Sequence, residues 1–282
     1  MKCPPRLDPS RGIKIRVVAP AGSILGREDT IAQGIEQLRR AGFDVEWRHD
    51  LYANSERSYL AASDDVRSRD FIDALEDPRV DIVWCARGGS GCGRILQDID
   101  VKAKDLPPKW VIGFSDITSI LNLLSVRHQW VTVHGPTISL IAKHIKKTET
   151  ITTKLNNINT LCKTKPGAPI ILGGNITVLA STIGAVNFSA LPPHILLLED
   201  VNEAPYRLDR ALTQLRSHWC LPTLQEIWLG DLSLGKSDTA QICKYIEADF
   251  NVPVHSGAPA GHEERLGFLP IGGTASRNEW TI

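Results

Sequence analysis

The chain has 282 residues, of which 42% are hydrophobic and 23% charged, a composition typical of a globular protein with a sizeable core. Its 32 basic residues balance 32 acidic ones, so no overall charge favours nucleic acid or an anionic membrane, and we expect neither as a partner. No long apolar run predicts a membrane span, and the polar N-terminus MKCPPRLDPSRG lacks the apolar core of a secretion signal, so a cytoplasmic location is the default expectation.

Strand and helix patterns alternate in the first half of the chain. Strands are predicted at 13–19, 43–47, 80–85, 110–112 and 131–133, and helices at 27–40, 64–75, around Ile95 and after Ser115. Strands joined by helices of this length can pair only in parallel, because a hairpin cannot make the crossover. The first half is therefore predicted to form a doubly wound parallel sheet, which binds ligands at the carboxyl ends of its strands.

The pattern changes after a polar, basic segment at 144–168, which we interpret as a linker. Beyond it the sequence predicts a strand, a Gly-Gly turn and an apolar helix over 171–185, then strands at 194–200, 226–233 and from 252, helices at 204–216 and 236–249, and a closing glycine-rich β element. The predicted fold class is therefore α/β. An N-terminal doubly wound domain at 1–143 precedes a smaller mixed α/β domain at 169–282.

The six cysteines are scattered along the chain and form no C-x-x-C pair. This spacing argues against a zinc knuckle and against a disulfide-stapled scaffold. We expect most of these thiols to be buried as small hydrophobic side chains, and we expect neither a metal nor a cofactor.

Two unusual loops follow predicted strands. In GFSD (113–116), Ser115 either caps the next helix or stands as a nucleophile on a strand–turn–helix bend, although the second glycine of G-x-S-x-G is absent. In RGGSGCGR (87–94), four glycines let backbone N–H groups approach developing negative charge or a phosphate. Nucleotide binding is disfavoured, because the loop lacks G-x-G-x-x-G spacing and no Walker lysine is present.

A nucleophilic serine needs a base and a group that orients the base. Of the eight histidines, His134 in VTVHGPT and His262 in GAPAGHEERLG are the best candidates by context, and spacing alone does not choose between them. In the strand LLLED, Glu199 and Asp200 face opposite sides. A carboxylate at this strand end either holds a histidine tautomer or caps the following turn.

These motifs, taken in order, resemble the L,D-carboxypeptidase family, which includes murein tetrapeptide carboxypeptidase and the microcin-immunity peptidases. The resemblance covers nearly the whole chain, and the following stretches carry it: VVAPAGS (17–23), RGGSGCGRIL (87–96), VIGFSDIT (111–118), TVHGP (132–136), GGNITVLASTIG (173–184), LLLEDVNEAPYRLDRALTQL (196–215) and PVHSGAPAGHEE (253–264). It implies an α/β N-terminal domain, a smaller β-rich C-terminal domain and a homodimer.

The resemblance also implies a set of site residues. Ser115 would be the nucleophile, Glu199 the orienting carboxylate and His262 the base, while the backbone amides of Gly89 and Asp116 would form the oxyanion hole. The implied reaction is removal of the terminal D-alanine from a cytoplasmic murein tetrapeptide, without a cofactor.

The sequence leaves three points of substrate recognition open. The family usually has tyrosine after R-G-G, where this chain has Ser90, and a carboxypeptidase must capture a free carboxylate, for which Arg87, Arg94 and Arg207 are candidates. The alternatives to a murein peptidase are a microcin-immunity peptidase that cleaves a peptidyl- or aminoacyl-nucleotide and a non-catalytic protein that binds a small ligand or peptide on the same scaffold.

Overall fold

A computed structural model describes residues 1–52, 55–144, 153, 155, 158–162, 167–262 and 267–277. The described chain contains two sheets, and the predicted α/β fold class is confirmed. None of the helices within these ranges is long and apolar enough to cross a membrane.

The first sheet has six strands in the order β10-β5-β4-β3-β1-β2, and all of its pairings are parallel except that of β10 with β5. Its strands are β1 (Lys14–Val18), β2 (Asp44–Trp47), β3 (Ile82–Cys85), β4 (Trp110–Gly113), β5 (Thr132–His134) and β10 (Leu269–Ile271). The helices between them are α1 (Glu28–Arg40), α2 (Asp64–Glu76), α3 (Leu96–Ala103) and α4 (Thr118–His128), and α5 (Ile138–His144) follows β5. The doubly wound parallel arrangement predicted for this half is present.

The second sheet has four parallel strands in the order β6-β7-β8-β9. They are β6 (Ile170–Asn175), β7 (His194–Glu199), β8 (Leu224–Leu229) and β9 (Val254–Ser256), and the intervening helices are α6 (Ile176–Thr182), α7 (Pro205–His218) and α8 (Lys236–Phe250). β7 is buried along its whole length, which explains its continuous apolar run.

The two sheets share a hydrophobic core. Successive residues of β3 point to opposite faces, so that Ile82 and Trp84 enter one core while Val83 and Cys85 enter the other. The core that contains Val83 continues into the second sheet through Leu196 and Leu198. Helix α4 lies in this shared core, and eight of its residues are buried, which accounts for its lack of a polar face.

The Gly-Gly pair of the second half does not form the predicted turn. Gly173 and Gly174 lie inside β6 and pair with Leu197 and Leu198 of β7. Their φ angles are 120° and 138°, and a Cβ on Gly174 would lie 2.6 Å from Oγ1 of Thr118. Gly174 is therefore required by a close approach of α4 to β6, and Gly173 by β7, since its Cβ would lie 2.1 Å from the Leu197 carbonyl oxygen. An interpretation of Gly-Gly as a turn overlooks both contacts.

The end of the chain returns to the first sheet. After β9 in the second sheet, the chain crosses to β10, which pairs antiparallel with β5 through Leu269 and His134. Residues after 169 thus contribute to both sheets. Most of the predicted linker at 144–168 lies outside the described residues, but Leu155 and Ile158 are buried in the core of the first sheet.

Candidate active site

The candidate site lies at the carboxyl ends of the strands, as expected for parallel sheets. Ser115 follows β4 and has a φ of 61°, in the left-handed region that non-glycine residues seldom adopt. The bend is tight, because a Cβ on Gly113 would lie 2.8 Å from the side chain of Ile117. Within the described structure no side chain caps α4, whose preceding residue is Ile117, so the strained Ser115 is not serving as its N-cap.

The glycine loop after β3 rests directly on Ser115. A Cβ on Gly88 would lie 2.8 Å from Cβ and 2.9 Å from Oγ of Ser115, so only glycine permits this approach. Gly89 has a φ of 129°, and its N–H makes no hydrogen bond to the described residues. The loop is steadied from the other side by Gly22, whose N–H donates to the Gly88 carbonyl at 3.3 Å.

Asp116 connects the glycine loop to the serine bend. Its Oδ2 accepts a hydrogen bond from the Cys92 N–H at 2.8 Å, and burial raises the pKa of the carboxyl group. The backbone N–H of Asp116 lies at the start of the 3-10 turn at Ser115–Ile117, where N–H groups lack a partner within the helix. The N–H groups of Gly89 and Asp116 therefore flank the serine without a hydrogen-bond partner among the described residues.

A buried arginine, Arg67, connects the loops that follow β1 and β3. It was not among the residues predicted from the sequence. Arg67 is fully buried and donates to the carbonyls of Ala62, Pro20 and Gly91, the last at 3.1 Å. Pro20 precedes the Gly22 loop and Gly91 belongs to the glycine loop. A single side chain thus joins the segments after β1 and β3, and its place inside an ordinary helical pattern gave no signal of this role.

Glu199 and His262 come together at the end of β7. Glu199 is fully buried, and its Oε2 lies 3.2 Å from Nδ1 of His262, an ion-pair distance whose alignment falls short of a well-formed hydrogen bond. Burial raises the pKa of Glu199, and the neighbouring His262 opposes that shift. Such a carboxylate can fix the tautomer of the imidazole and stabilise its protonated form.

The segment before His262 approaches the end of β8 closely. Gly261 has a φ of 142°, and a Cβ there would lie 2.6 Å from Cβ of Asp231. The Asp231 N–H donates to the Ala260 carbonyl at 2.8 Å. The small residues of GAPAGH therefore let the loop lie flat on the second sheet and present the histidine beside β7.

The aromatic ring of Phe114 links His262 to the serine bend. The ring centroids of Phe114 and His262 are 4.6 Å apart, and Phe114 immediately precedes Ser115. The structure thus brings Glu199, His262 and the Ser115 bend to one place, although they come from two sheets and three separate stretches of chain.

His134, the other histidine singled out from the sequence, occupies a different environment. Its ring lies 5.9 Å from that of Phe114, and neither ring nitrogen has a hydrogen-bond partner among the described residues. Burial, with a smaller contribution from His262, lowers the pKa of His134 to about 4, so the imidazole is neutral near pH 7. His134 makes no ion pair with a described carboxylate, so of these two candidate histidines His262 is the one that faces an orienting carboxylate.

The two carboxylates of LLLED have different partners. Asp200 accepts hydrogen bonds from the side chain of Asn175 at 3.0 Å and from both the N–H and the hydroxyl of Thr177 at 3.0 and 2.8 Å. It therefore caps the start of α6. Glu199, on the opposite face of the strand, meets His262 instead.

Hydrogen bonds between helix α4 and strand β6 hold the serine bend in position relative to Glu199. Asn122 of α4 donates to the Gly173 carbonyl and accepts from the Gly173 N–H, both at 2.9 Å. Thr118 Oγ1 accepts from the Asn175 N–H at 3.1 Å. Helix α4, which begins three residues after Ser115, is thereby attached to the strand beside β7.

The described residues contain no cluster of side chains that could hold a metal ion.

The sequence matches the LD-carboxypeptidase N-terminal domain over residues 15–135 and the LD-carboxypeptidase C-terminal domain over residues 169–276. The chain therefore belongs to the LD-carboxypeptidase family, a family of peptidases.

Individual relatives agree with this assignment. The chain is 28% identical to the murein tetrapeptide carboxypeptidase of Pseudomonas aeruginosa, over 93% of this chain and 92% of that protein. Among solved structures, the muramoyltetrapeptide carboxypeptidase of Oxalobacter formigenes is 26% identical, with a TM-score of 0.74 and 92% of each chain covered. An MccF-like protein of Bacillus anthracis superposes with a TM-score of 0.80 over 99% of this chain and 97% of that chain, and at 21% identity it supports the fold alone.

Proposed function

We propose that this protein is a serine L,D-carboxypeptidase that removes the terminal D-alanine from murein tetrapeptides by means of Ser115, His262 and Glu199. One observation carries the proposal: the buried Glu199 faces His262, and the same histidine ring packs on Phe114, the residue before the strained Ser115. The names of the relatives from Pseudomonas aeruginosa and Oxalobacter formigenes support the substrate class.

The first half of the reaction forms an acyl-enzyme. His262 accepts the Ser115 hydroxyl proton at Nε2 as the serine oxygen attacks the scissile carbonyl carbon, while Nδ1 stays directed at Glu199. The N–H groups of Gly89 and Asp116 donate to the oxyanion of the tetrahedral intermediate. The C–N bond then breaks, the D-alanine nitrogen takes the proton from His262, and the acyl group remains on Ser115.

The second half releases the peptide. His262 accepts a proton from a water molecule, the resulting hydroxide adds to the acyl carbon, and the same two N–H groups stabilise the second oxyanion. The C–O bond to Ser115 breaks and the serine oxygen regains a proton from His262. Glu199 stays ionised throughout and stabilises the imidazolium each time it forms, which a buried counter-charge does more strongly than a hydrated one.

Strain at Ser115 fits this role. A left-handed φ at a residue with a side chain costs about 1–2 kcal/mol, which a residue that served only packing would have no reason to retain. The bend exposes the serine oxygen to the glycine loop. We also expect the protein to act in the cytoplasm, in peptidoglycan recycling, as a homodimer.

Hydrolysis assays on two substrates test the proposal. Purified protein is incubated with a disaccharide tetrapeptide and, separately, with an aminoacyl sulfamoyl adenylate, and the products are separated by chromatography. We expect release of D-alanine from the first substrate by the wild-type protein and none by Ser115→Ala.

The other outcomes favour the alternatives. Cleavage of the sulfamoyl adenylate alone would favour a microcin-immunity peptidase, and inertness toward both substrates would favour a binding protein. D-alanine release that persists in Ser115→Ala would exclude the serine mechanism. Sedimentation velocity of the same preparation tests the homodimer.

A further inference from the structure

The guanidinium of Arg87 borders the glycine loop of the candidate site. Its Cζ lies 3.5 Å from the position that a Cβ on Gly22 would take, and one of its terminal nitrogens lies 3.8 Å from the Cβ position of Gly89. Gly89 supplies one of the two backbone donors proposed for the oxyanion. A positive charge therefore stands next to the loop that faces the reacting carbonyl group.

The charge of Arg87 has no acidic partner in the described part of the chain. The other two arginine candidates for substrate binding are paired: Arg94 binds Asp64 at 2.9 Å, and Arg207 lies 3.6 Å from Glu203. The Arg87 guanidinium donates instead to the carbonyl of Ser23 and forms no ion pair with a described residue.

The surroundings of Arg87 make an unpaired charge costly. The side chain is half-buried, and this burial, together with the positive charge of nearby Arg27, lowers the pKa of Arg87. A desolvated cation without a counter-ion is unfavourable, and an arriving anion relieves that cost. The guanidinium groups of Arg87 and Arg27 would attract the same anion, so the electric field at this end of the glycine loop favours a negatively charged ligand.

We propose that Arg87 binds the terminal carboxylate of the peptide substrate. The inference rests on the proposed carboxypeptidase function, because cleavage of the last peptide bond places the terminal carboxylate one residue beyond the cleaved bond. Three bonds with a total length of about 4.3 Å separate the scissile carbonyl carbon from that carboxyl carbon. This short reach matches a guanidinium that lies beside Gly89 of the oxyanion loop, and its planar fork can donate to both carboxylate oxygens.

The test compares two substrates that differ only in this carboxylate. A murein tetrapeptide that ends in D-alanine and the same peptide that ends in D-alaninamide are given to wild-type protein, Arg87→Met, Arg87→Lys and Arg94→Met. Arg94→Met is the matched control, because it removes an arginine of the same loop that is already paired with Asp64.

For Arg87→Met we expect kcat/KM on the acid to fall about 10- to 100-fold, mainly through KM, as for loss of a hydrogen bond between charged groups. Its kcat/KM on the amide should change less than about 3-fold, since that substrate has no terminal carboxylate for Arg87 to bind. Arg87→Lys should recover part of the activity on the acid, because an ammonium keeps the charge but not the fork. Arg94→Met should hydrolyse the acid and the amide with the same kcat/KM values as the wild-type protein.

Equal losses of kcat/KM on the acid and the amide in Arg87→Met would overturn the inference, because they would indicate that Arg87 acts structurally through its contact with Ser23. In that case the variant should also unfold at a lower temperature than the wild-type protein. An unchanged kcat/KM on the acid would overturn the inference as well. Wild-type protein that hydrolyses neither peptide would overturn the proposed function instead. In that case, calorimetric titration of both peptides into Ser115→Ala and the Ser115→Ala/Arg87→Met double variant decides the inference, which fails if loss of Arg87 does not reduce the preference for the acid.

Discussion

Replacement of Glu199 by glutamine should separate catalysis from stability. The side chain keeps its shape but loses the charge that faces His262. At the 3.2 Å separation of Nδ1 and Oε2, two unit charges attract by about 5 kcal/mol at an effective dielectric constant of about 20. This attraction exists only while the imidazole is protonated, as it is in the transition states, so kcat should fall by roughly three to four orders of magnitude.

The same variant should be more stable than the wild-type protein at neutral pH. Burial raises the pKa of Glu199, so folding disfavours the ionised carboxylate. The contribution of this group to stability is therefore greatest below its unfolded pKa and declines as the pH rises through the folded pKa. Glutamine removes that decline, and urea unfolding at pH 7 should show a higher free energy of unfolding.

The decisive measurement is kcat for D-alanine release, with Asp200→Asn as the control. Asp200 is the adjacent carboxylate and caps α6, so the control should lose about 1–3 kcal/mol of stability and keep kcat within about tenfold. If Glu199→Gln, correctly folded, turned over within tenfold of the wild-type rate, the counter-charge role would be refuted. If both carboxylate variants lost activity equally, the effect would be one of strand position and not of charge.

Three further predictions concern the residues around the serine bend. Gly88→Ala places a methyl group 2.8 Å from Cβ of Ser115, so kcat should fall by about 100-fold or more with little change in circular dichroism, and unchanged kcat would disprove the close approach. In urea titrations, the free energy of unfolding of Ser115→Gly should exceed that of Ser115→Ala by about 1 kcal/mol, because glycine adopts φ 61° without strain. Equal free energies of unfolding for the two variants would argue against strain at the bend. His134 has a pKa of about 4, so the stability it contributes is present above about pH 6.5 and lost as the pH falls toward 4, by up to about 3 kcal/mol. His134→Gln should therefore flatten the dependence of the free energy of unfolding on pH in this range. If that dependence were unchanged in the variant, another group would be responsible for it.

Much of the fold could be predicted because the first half consists of strands and helices in strict alternation. The central strands β3 and β4 are short and apolar, as expected for a strand that is buried on both faces. The helices between the strands are long enough for crossovers, and parallel pairing follows from that connection. The position of the candidate site followed in turn, since the two unusual loops both come after strands. No distance information was needed for either step.

The remaining features depend on contacts that a local pattern does not record. Gly173 and Gly174 resemble a turn in the sequence, and the approach of Leu197 to the first and of Thr118 to the second explains why glycines occupy this strand. The pairing of β10 with β5 joins residues 269 and 134, and a three-residue strand carries no signal of so distant a partner. The division of roles between Glu199 and Asp200 likewise required the neighbours of each carboxylate to be seen.

The return of the chain to the first sheet has a mechanical consequence for the histidine. His262 lies in the sequence between β9, which belongs to the second sheet, and β10, which belongs to the first. Because the Ala260 carbonyl accepts a hydrogen bond from Asp231 at the end of β8, a shear between the sheets would move the imidazole and Glu199 together, away from the serine bend. Ligands or substitutions that loosen the seam between Asn122 and Gly173 would then weaken turnover from a distance, without touching a single reacting atom.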